Sequence, residues 1–210
     1  MPSYAEWLVF LGASTLFAII PGPGILYVLA RSLRGGRADG VRSVLGNGIG
    51  ALAHVTAASV GLSALLVASA TAFTVVKLLG AGYLIYLGLR ALLGRDQLRV
   101  DRLSEPRRPG RSVVLQGILS EVLNPKTALF FVAFLPHFVH PDAGPAPLVL
   151  ALLGVIAVAM AMVVDLLVAV FAGSLGTRLM HNPRWRTRQR LASGLTMIGL
   201  GGALALAERG

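Results

Sequence analysis

The chain of 210 residues is strongly apolar and strongly basic. Hydrophobic residues make up 55% of it, charged residues only 13%, and the mean hydropathy is +0.75, which excludes a soluble domain of this size and predicts an integral membrane protein. The net charge of +10 does not indicate nucleic-acid binding, because nearly all arginines flank apolar spans, and the absence of cysteine excludes disulfides and cysteine-based metal sites.

Six apolar segments follow one another along the chain and predict an all-α protein with six transmembrane helices. They cover about residues 4–30, 43–68, 71–93, 113–136, 148–173 and 191–207. Most exceed the ~20 residues that a helix needs to cross the hydrocarbon, and the last is at the short end of the usual range. No lysine or arginine precedes Arg31 and the first segment is too long for a signal peptide, so we expect it to stay in the mature protein.

Arginines mark the connections after the first, third and fifth spans, whereas the other two connections contain neither arginine nor lysine. Positive charge prefers the cytoplasmic side, so both termini are predicted to lie outside. The polar, proline-containing stretch at about 94–111 is interpreted as a cytoplasmic linker within one transmembrane transport domain, residues 1–210. It separates repeat one (about 4–93) from repeat two (about 112–207). Each repeat has three spans, an odd number, so the two are predicted to be inverted relative to each other.

Prolines interrupt the first and fourth spans near their middle, at Pro21-Gly22-Pro23-Gly24 and at Asn124-Pro125. Because proline cannot donate a backbone hydrogen bond, the breaks free the carbonyls of Phe17, Ile19 and Glu121. Each break also reads as a helix restart, with Gly22 or Asn124 as the N-cap and the following proline as the first helical residue. A lone proline is most often a simple kink, but two breaks in corresponding positions of inverted repeats indicate a transporter site at the membrane midplane.

The two lysines of the chain and the acidic residues Glu121 and Asp165 lie within the predicted spans, where each needs a partner or a use. Lys77 is close to the outer end of its span and can extend its side chain to the interface. Lys126 falls in the first turn of a restarting helix, where the helix dipole disfavours a cation unless an anion lies nearby. Glu121 and Asp165 are candidates for proton relay, and static ion pairs with the two lysines are the alternative.

His54 shares a helical face with Gly46, Gly50 and other small residues, a pattern that lets a second helix approach closely. A packing or hydrogen-bonding role is therefore expected for His54 in preference to a ligand role.

The outer ends of the chain offer only weak candidates for chemistry. Glu6 lies near the amino terminus and is expected to be solvated. His137, His140 and Asp142 have side chains that bind metals, but the prolines around them mark an ordinary exposed turn. We predict neither a metal site nor a cofactor.

Several motifs occur together in one order. They are Pro21-Gly22-Pro23, GNGIG at 46–50 with Ala53-His54, KLLGAGYLIYLG at 77–88, QGIL at 116–119, LNPKTALFF at 123–131 and FLPHF at 134–138. With these motifs, most of the chain resembles the LysE/RhtB family of amino-acid exporters. The resemblance implies a secondary exporter of amino acids or similar small metabolites in the cell inner membrane, driven by an ion gradient that is usually thought to be a proton gradient. Glu121 departs from the family pattern, which more often has a neutral polar residue there.

The two restarting helices are predicted to point their amino-terminal ends at each other and, with Lys126, to bind a carboxylate. The freed carbonyls suit an ammonium group, so the pair of breaks fits a zwitterionic amino acid. The predicted substrate-binding residues are Pro21, Gly22, Pro23, Gly24, Asn47, Asn124, Pro125 and Lys126. Glu121 and Asp165 are the predicted ion-coupling residues.

Two other classes of function compete with the exporter. A membrane-embedded enzyme needs a nucleophile with a base, or a metal cluster, and the spans contain only scattered single groups. A structural or sensory membrane protein has no need of two broken helices. We therefore predict a protein without enzymatic activity. Its predicted partners are an amino acid substrate, the lipid bilayer and a coupling ion, for which a proton is preferred. A homodimer is compatible with the sequence.

Overall fold

The computed structural model describes residues 3–62, 70–93, 112–140, 144–172 and 183–206. Within these ranges the chain forms helices and no strand, so the predicted all-α class is confirmed. The helices are α1 (Tyr4–Ile19), α2 (Pro23–Ala57), α3 (Ala70–Leu92), α4 (Val113–Val122), α5 (Pro125–Leu129), α6 (Ala146–Phe171) and α7 (Pro183–Leu206). A short π-helix (Ala58–Leu62) extends α2. Another short π-helix (Phe130–Phe134) and then a 3₁₀-helix (Leu135–Phe138) extend α5. The predicted linker at 94–111 lies outside the described residues.

The helix α2 doubles back on itself at Gly36, whose φ of 71° and ψ of −170° are not helical and favour glycine. Positions at similar distances from Gly36 along the sequence face each other across the two arms. A Cβ built on Gly24 would lie 3.1 Å from Asn47 Nδ2, and a Cβ on Gly40 would contact Ser32. The two arms, residues 23–35 and 37–57, therefore form an antiparallel hairpin, with its turn inside the arginine-rich connection between the first two predicted spans.

Both predicted helix breaks are present. After α1, Ile20 is extended (φ −68°, ψ 122°), and α2 then restarts with Gly22 as its N-cap and Pro23 as its first residue. After α4, Asn124 caps α5, which begins at Pro125. The helix axis bends by 47° between α4 and the segment Pro125–Phe138.

Several described helices are apolar enough to lie in a membrane. Pro23–Gly61 and α6 meet the length and composition of a spanning segment, and the bent pair α4–α5 adds a third candidate. Because the first of these contains the turn at Gly36, we treat its two arms as separate candidates. Many large apolar side chains on the outside, such as Ile49 (51% exposed) and Leu123 (74%), suit contact with lipid. Six spans in two inverted repeats stay a prediction.

A buried apolar cluster joins α1 to α6 and to the segment that follows the second break. Phe17 stacks on Phe130 with ring centres 4.2 Å apart, and Phe10 meets Phe138 edge to face at 5.5 Å. Leu150 of α6 is fully buried in the same cluster. This packing holds the carboxyl end of α1 beside the second break.

Glycines allow α2 and α4 to pack with their backbones in contact. A Cβ built on Gly46 would lie 2.9 Å from the Cα of Gly117, and a Cβ on Gly50 would lie 2.8 Å from the Cβ of Glu121. The close helix approach predicted from the small-residue face of His54 is therefore present. It brings the second arm of α2 beside the end of α4, where the second break begins.

We expect Gly46→Ala to lower the free energy of unfolding by about 1–3 kcal/mol, because the added methyl group has to push the backbone of α4 away. Gly12→Ala is the matched control, since a Cβ at Gly12 meets nothing within 4 Å. Thermal unfolding in detergent measures both variants. Equal unfolding temperatures for the two variants would contradict the tight crossing.

Candidate functional site

The two breaks meet in a buried polar cluster inside the helical bundle. Six side chains form it, none of them more than 9% exposed. The polar cluster consists of Asn47, Glu121, Asn124, Lys126, Thr127 and Asp165. These residues come from four helices and the Asn124 cap, and only the folded chain brings them together.

Glu121 lies in the last turn of α4, and both of its carboxylate oxygens accept hydrogen bonds. Thr127 Oγ1 donates to Oε1 at 2.5 Å, and Asn124 Nδ2 donates to Oε2 at 3.1 Å. On the other side, Gly24 approaches so closely that a Cβ there would collide with Oε2. The carboxylate of Glu121 therefore bridges the second break and lies against the first turn of α2.

Lys126 extends its side chain from the second break to the first. Its Nζ donates to the carbonyl oxygens of Phe17 and Ile20, each at 2.6 Å, and lies 4.3 Å from the centre of the Phe17 ring. These carbonyls end α1, where the helix dipole favours a cation. Gly22 leaves room for the lysine, because a Cβ there would lie 3.0 Å from Lys126 Cδ.

The ammonium of Lys126 is held by backbone carbonyls, which are its hydrogen-bond partners within the described part of the chain. An anion nearby that offsets the helix dipole stays a prediction. No carboxylate of the described residues forms an ion pair with Lys126 within 4 Å, so the static pair with Glu121 is not formed. The side chain of Lys77, the other predicted pairing partner, lies outside what the structure describes.

Asp165 of α6 joins the polar cluster through Asn47. Asn47 Nδ2 donates to Asp165 Oδ2 at 3.0 Å. The amide oxygen of Asn47 is buried and has no hydrogen-bond partner among the described residues. A buried acceptor without a donor is costly, so this oxygen is suited to receive a donor from a ligand or from a rearranged neighbour.

The structure brings most of the predicted site residues together. Gly22 and Gly24 of the first break lie against Lys126 and Glu121 at the second break, and Asn47 lies beside Gly24 and Asp165. Of the two carbonyls that Lys126 contacts, that of Phe17 was predicted to be freed by the break, whereas that of Ile20 was not predicted. The extended backbone of Ile20 turns its carbonyl out of the helix. Thr127, whose hydroxyl donates to Glu121, was not predicted as a site residue.

The histidines lie at the edge of this arrangement. His54 Nε2 is 3.0 Å from the carbonyl oxygen of Glu121, and its ring stacks on Phe131, which confirms the predicted packing role. His140 Nε2 lies 2.6 Å from Glu6 Oε1, so the expectation that Glu6 is merely solvated is wrong. Asp142 lies outside the described residues. The residues that the structure describes contain no group of three or more side chains that could bind a metal ion.

Comparison with known proteins assigns the family. The family model described as LysE type translocator matches residues 15–208 of this chain. The chain belongs to the LysE type translocator family. This confirms the family predicted from the motifs, and with the apolar helices it confirms the predicted multi-pass localisation in the cell inner membrane.

Three relatives illustrate what this translocator is similar to. The homoserine/homoserine lactone efflux protein of Salmonella typhimurium is 28% identical over 209 residues, 98% of either chain. An uncharacterized membrane protein of Vibrio cholerae is 30% identical over 202 residues, 96% of this chain and 97% of the relative. The leucine efflux protein of Salmonella choleraesuis is 29% identical over 137 residues, 65% of this chain and 64% of the relative. No solved structure matches.

Proposed function

We propose that this translocator is a secondary active exporter of amino acids or related small zwitterionic metabolites. The observation that carries this proposal is the contact between the two helix breaks within the polar cluster. Broken backbone and buried charge at membrane depth are tolerated where they line a transport site. Relatives named for efflux of homoserine and of leucine support amino acids as the substrate class. The rival functions, a membrane enzyme and a structural or sensory protein, have no comparable support.

The groups around the breaks suit both charges of an amino acid. The backbone N–H groups in the first turn of α2 and the ammonium of Lys126 suit a carboxylate. The carbonyls of Phe17 and Ile20 suit an ammonium group. In α5 the backbone N–H of Lys126 already donates to Asn124 Oδ1. We therefore assign the backbone N–H groups that bind the substrate carboxylate to the first break.

We further propose that Glu121 and Asp165 carry the coupling proton. A carboxylate that gains a proton turns one acceptor into a donor, and its neighbours have to rearrange. At Asp165 the rearrangement is simple: if the Asn47 amide turns over, its unpartnered oxygen can accept from the protonated acid. At Glu121 a proton would compete with the hydrogen bonds from Thr127 and Asn124 that bridge the second break.

The membrane arrangement and the oligomeric state belong to the same proposal. Two inverted repeats with cytoplasmic arginine-rich connections would place the two breaks at the same depth from opposite directions. Single cysteines introduced into this cysteine-free chain would report the orientation by their labelling from either side. The homodimer stays a prediction.

Counterflow in liposomes tests the proposed function most simply. Vesicles that contain the purified protein are loaded with an unlabelled amino acid, and labelled amino acid is supplied outside. We expect transient accumulation of label for at least one common amino acid, homoserine and leucine being the first to test, and none in protein-free vesicles. Failure of every common amino acid to produce counterflow would overturn the proposal.

A further inference from the structure

Lys126 occupies a site that is built for an ammonium ion. Two carbonyl oxygens, of Phe17 and Ile20, lie 2.6 Å from its Nζ, and the Phe17 ring lies 4.3 Å away. Hydrogen bonds from the ammonium to carbonyl oxygens and contact with the face of an aromatic ring are two means by which proteins hold a primary ammonium group. We refer to these two carbonyls and this ring as the ammonium site.

The ammonium site belongs to the first break, whereas its occupant belongs to the second. The methylene groups of Lys126 cross between the two breaks beside Gly22, where a Cβ would lie 3.0 Å from Lys126 Cδ. The side chain of Lys126 is 8% exposed, so its contacts are made almost out of solvent. The contact therefore adds a polar connection between the carboxyl end of α1 and the start of α5 to the apolar packing of Phe17 on Phe130.

We propose that Lys126 and the substrate exchange places in the ammonium site. In the resting protein Lys126 fills it. When a zwitterionic substrate arrives, its carboxylate pairs with the lysine and draws it away, and the ammonium group of the substrate takes over the two carbonyls and the Phe17 ring. This inference rests on the proposed function and deepens it, because it assigns the lysine a second position and the substrate ammonium a defined one.

Exchange explains why both charges are needed on one molecule. A displaced lysine ammonium in a buried environment needs an anion, and the vacated carbonyls need a donor. An amine without a carboxylate supplies only the donor, and a carboxylic acid without an amine supplies only the anion. An amino acid supplies both groups in one molecule, so a zwitterion releases Lys126 from the carbonyls of the first break.

The first test uses Lys126→Ala, which removes the atoms from Cγ to Nζ and leaves a space for n-propylammonium. We expect n-propylammonium to bind this variant at least about tenfold more tightly than it binds the wild type, since it regains hydrogen bonds to a charged donor. Lys77→Ala is the matched control, because Lys77 is the only other lysine in the chain. Calorimetry in detergent measures binding, with n-propanol as the uncharged ligand. Equal affinity in all three folded proteins would overturn the inference.

The second test leaves Lys126 in place and does not depend on the alanine variant folding. Protein labelled with ¹³C at the lysine ε-carbon gives two resonances, and Lys77→Arg assigns them. In the resting state the Phe17 ring is expected to shift the Lys126 resonance, and a bound zwitterion is expected to abolish that shift. n-Propylammonium is expected to leave the resonance unchanged.

The outcomes separate the inference from the proposed function. If an amino acid binds and shows counterflow but does not shift the Lys126 resonance, the proposed exchange in the ammonium site is wrong. The proposed function as an exporter is unaffected by that result. If no amino acid shows counterflow, the proposed function fails, and gain of n-propylammonium binding by Lys126→Ala still decides whether the ammonium site exists.

Discussion

Glu121→Gln and Asp165→Asn proteins are expected to exchange amino acids across a liposome membrane but to lose accumulation driven by a proton gradient. Each substitution keeps the shape of the side chain and removes the group that gains and loses a proton. We expect the larger loss for Asp165→Asn. Asp165 accepts a hydrogen bond from an amide that can turn over, whereas both oxygens of Glu121 are engaged at the second break.

Exchange and accumulation have to be measured on the same vesicles, with and without an imposed pH gradient. Asp39→Asn is the matched control, because Asp39 makes an ion pair with Arg42 near the turn of α2 and lies outside the polar cluster. Its accumulation is expected to equal that of the wild type. Normal gradient-driven accumulation by both Glu121→Gln and Asp165→Asn would place the coupling ion elsewhere.

Lys126→Ala and Pro23→Ala are each expected to weaken amino-acid binding by about 10- to 100-fold. Lys126→Ala removes the cation that we assign to the substrate carboxylate, and with it a hydrogen bond to a charged group. Pro23→Ala removes the ring that fixes φ at the first residue of α2, so that the amino-terminal end of this helix is held less firmly in the site.

Two control variants separate these effects from general damage. Lys77→Ala makes the same chemical change at the other lysine, and Pro145→Ala changes an exposed proline at the start of α6. Both are expected to bind as the wild type does, and thermal unfolding of all four variants reports whether they fold. Binding at full strength by folded Pro23→Ala would mean that the first break does not form the site.

The helix breaks were predictable because their causes are local. Proline lacks the backbone donor and fixes φ, and Gly22 and Asn124 suit the cap positions, so the restarts follow from a few neighbouring residues. The close approach of α2 to α4 was also predictable, since Gly46 and Gly50 recur on one helical face.

The partners of the charged residues were not predictable, because they depend on how separate helices meet. Lys126 reaches carbonyls more than a hundred positions earlier in the chain, and Ile20 offers one of them only because its backbone is extended. Thr127 donates to Glu121 across the bend of 47° between α4 and the segment Pro125–Phe138. Neither contact joins residues at the spacing of one helical face, so the sequence pattern does not predict it.

The central claim is that the two breaks form one site for a molecule that carries both a carboxylate and an ammonium group. Competition between an exported amino acid and its amide tests this claim most directly, because the amide keeps the ammonium group and the side chain and loses only the carboxylate charge. With the wild-type protein in liposomes, we expect the amide to inhibit counterflow at least about tenfold more weakly than the amino acid, since it cannot form the charged contact with Lys126. Equal inhibition by the amino acid and its amide would contradict the account.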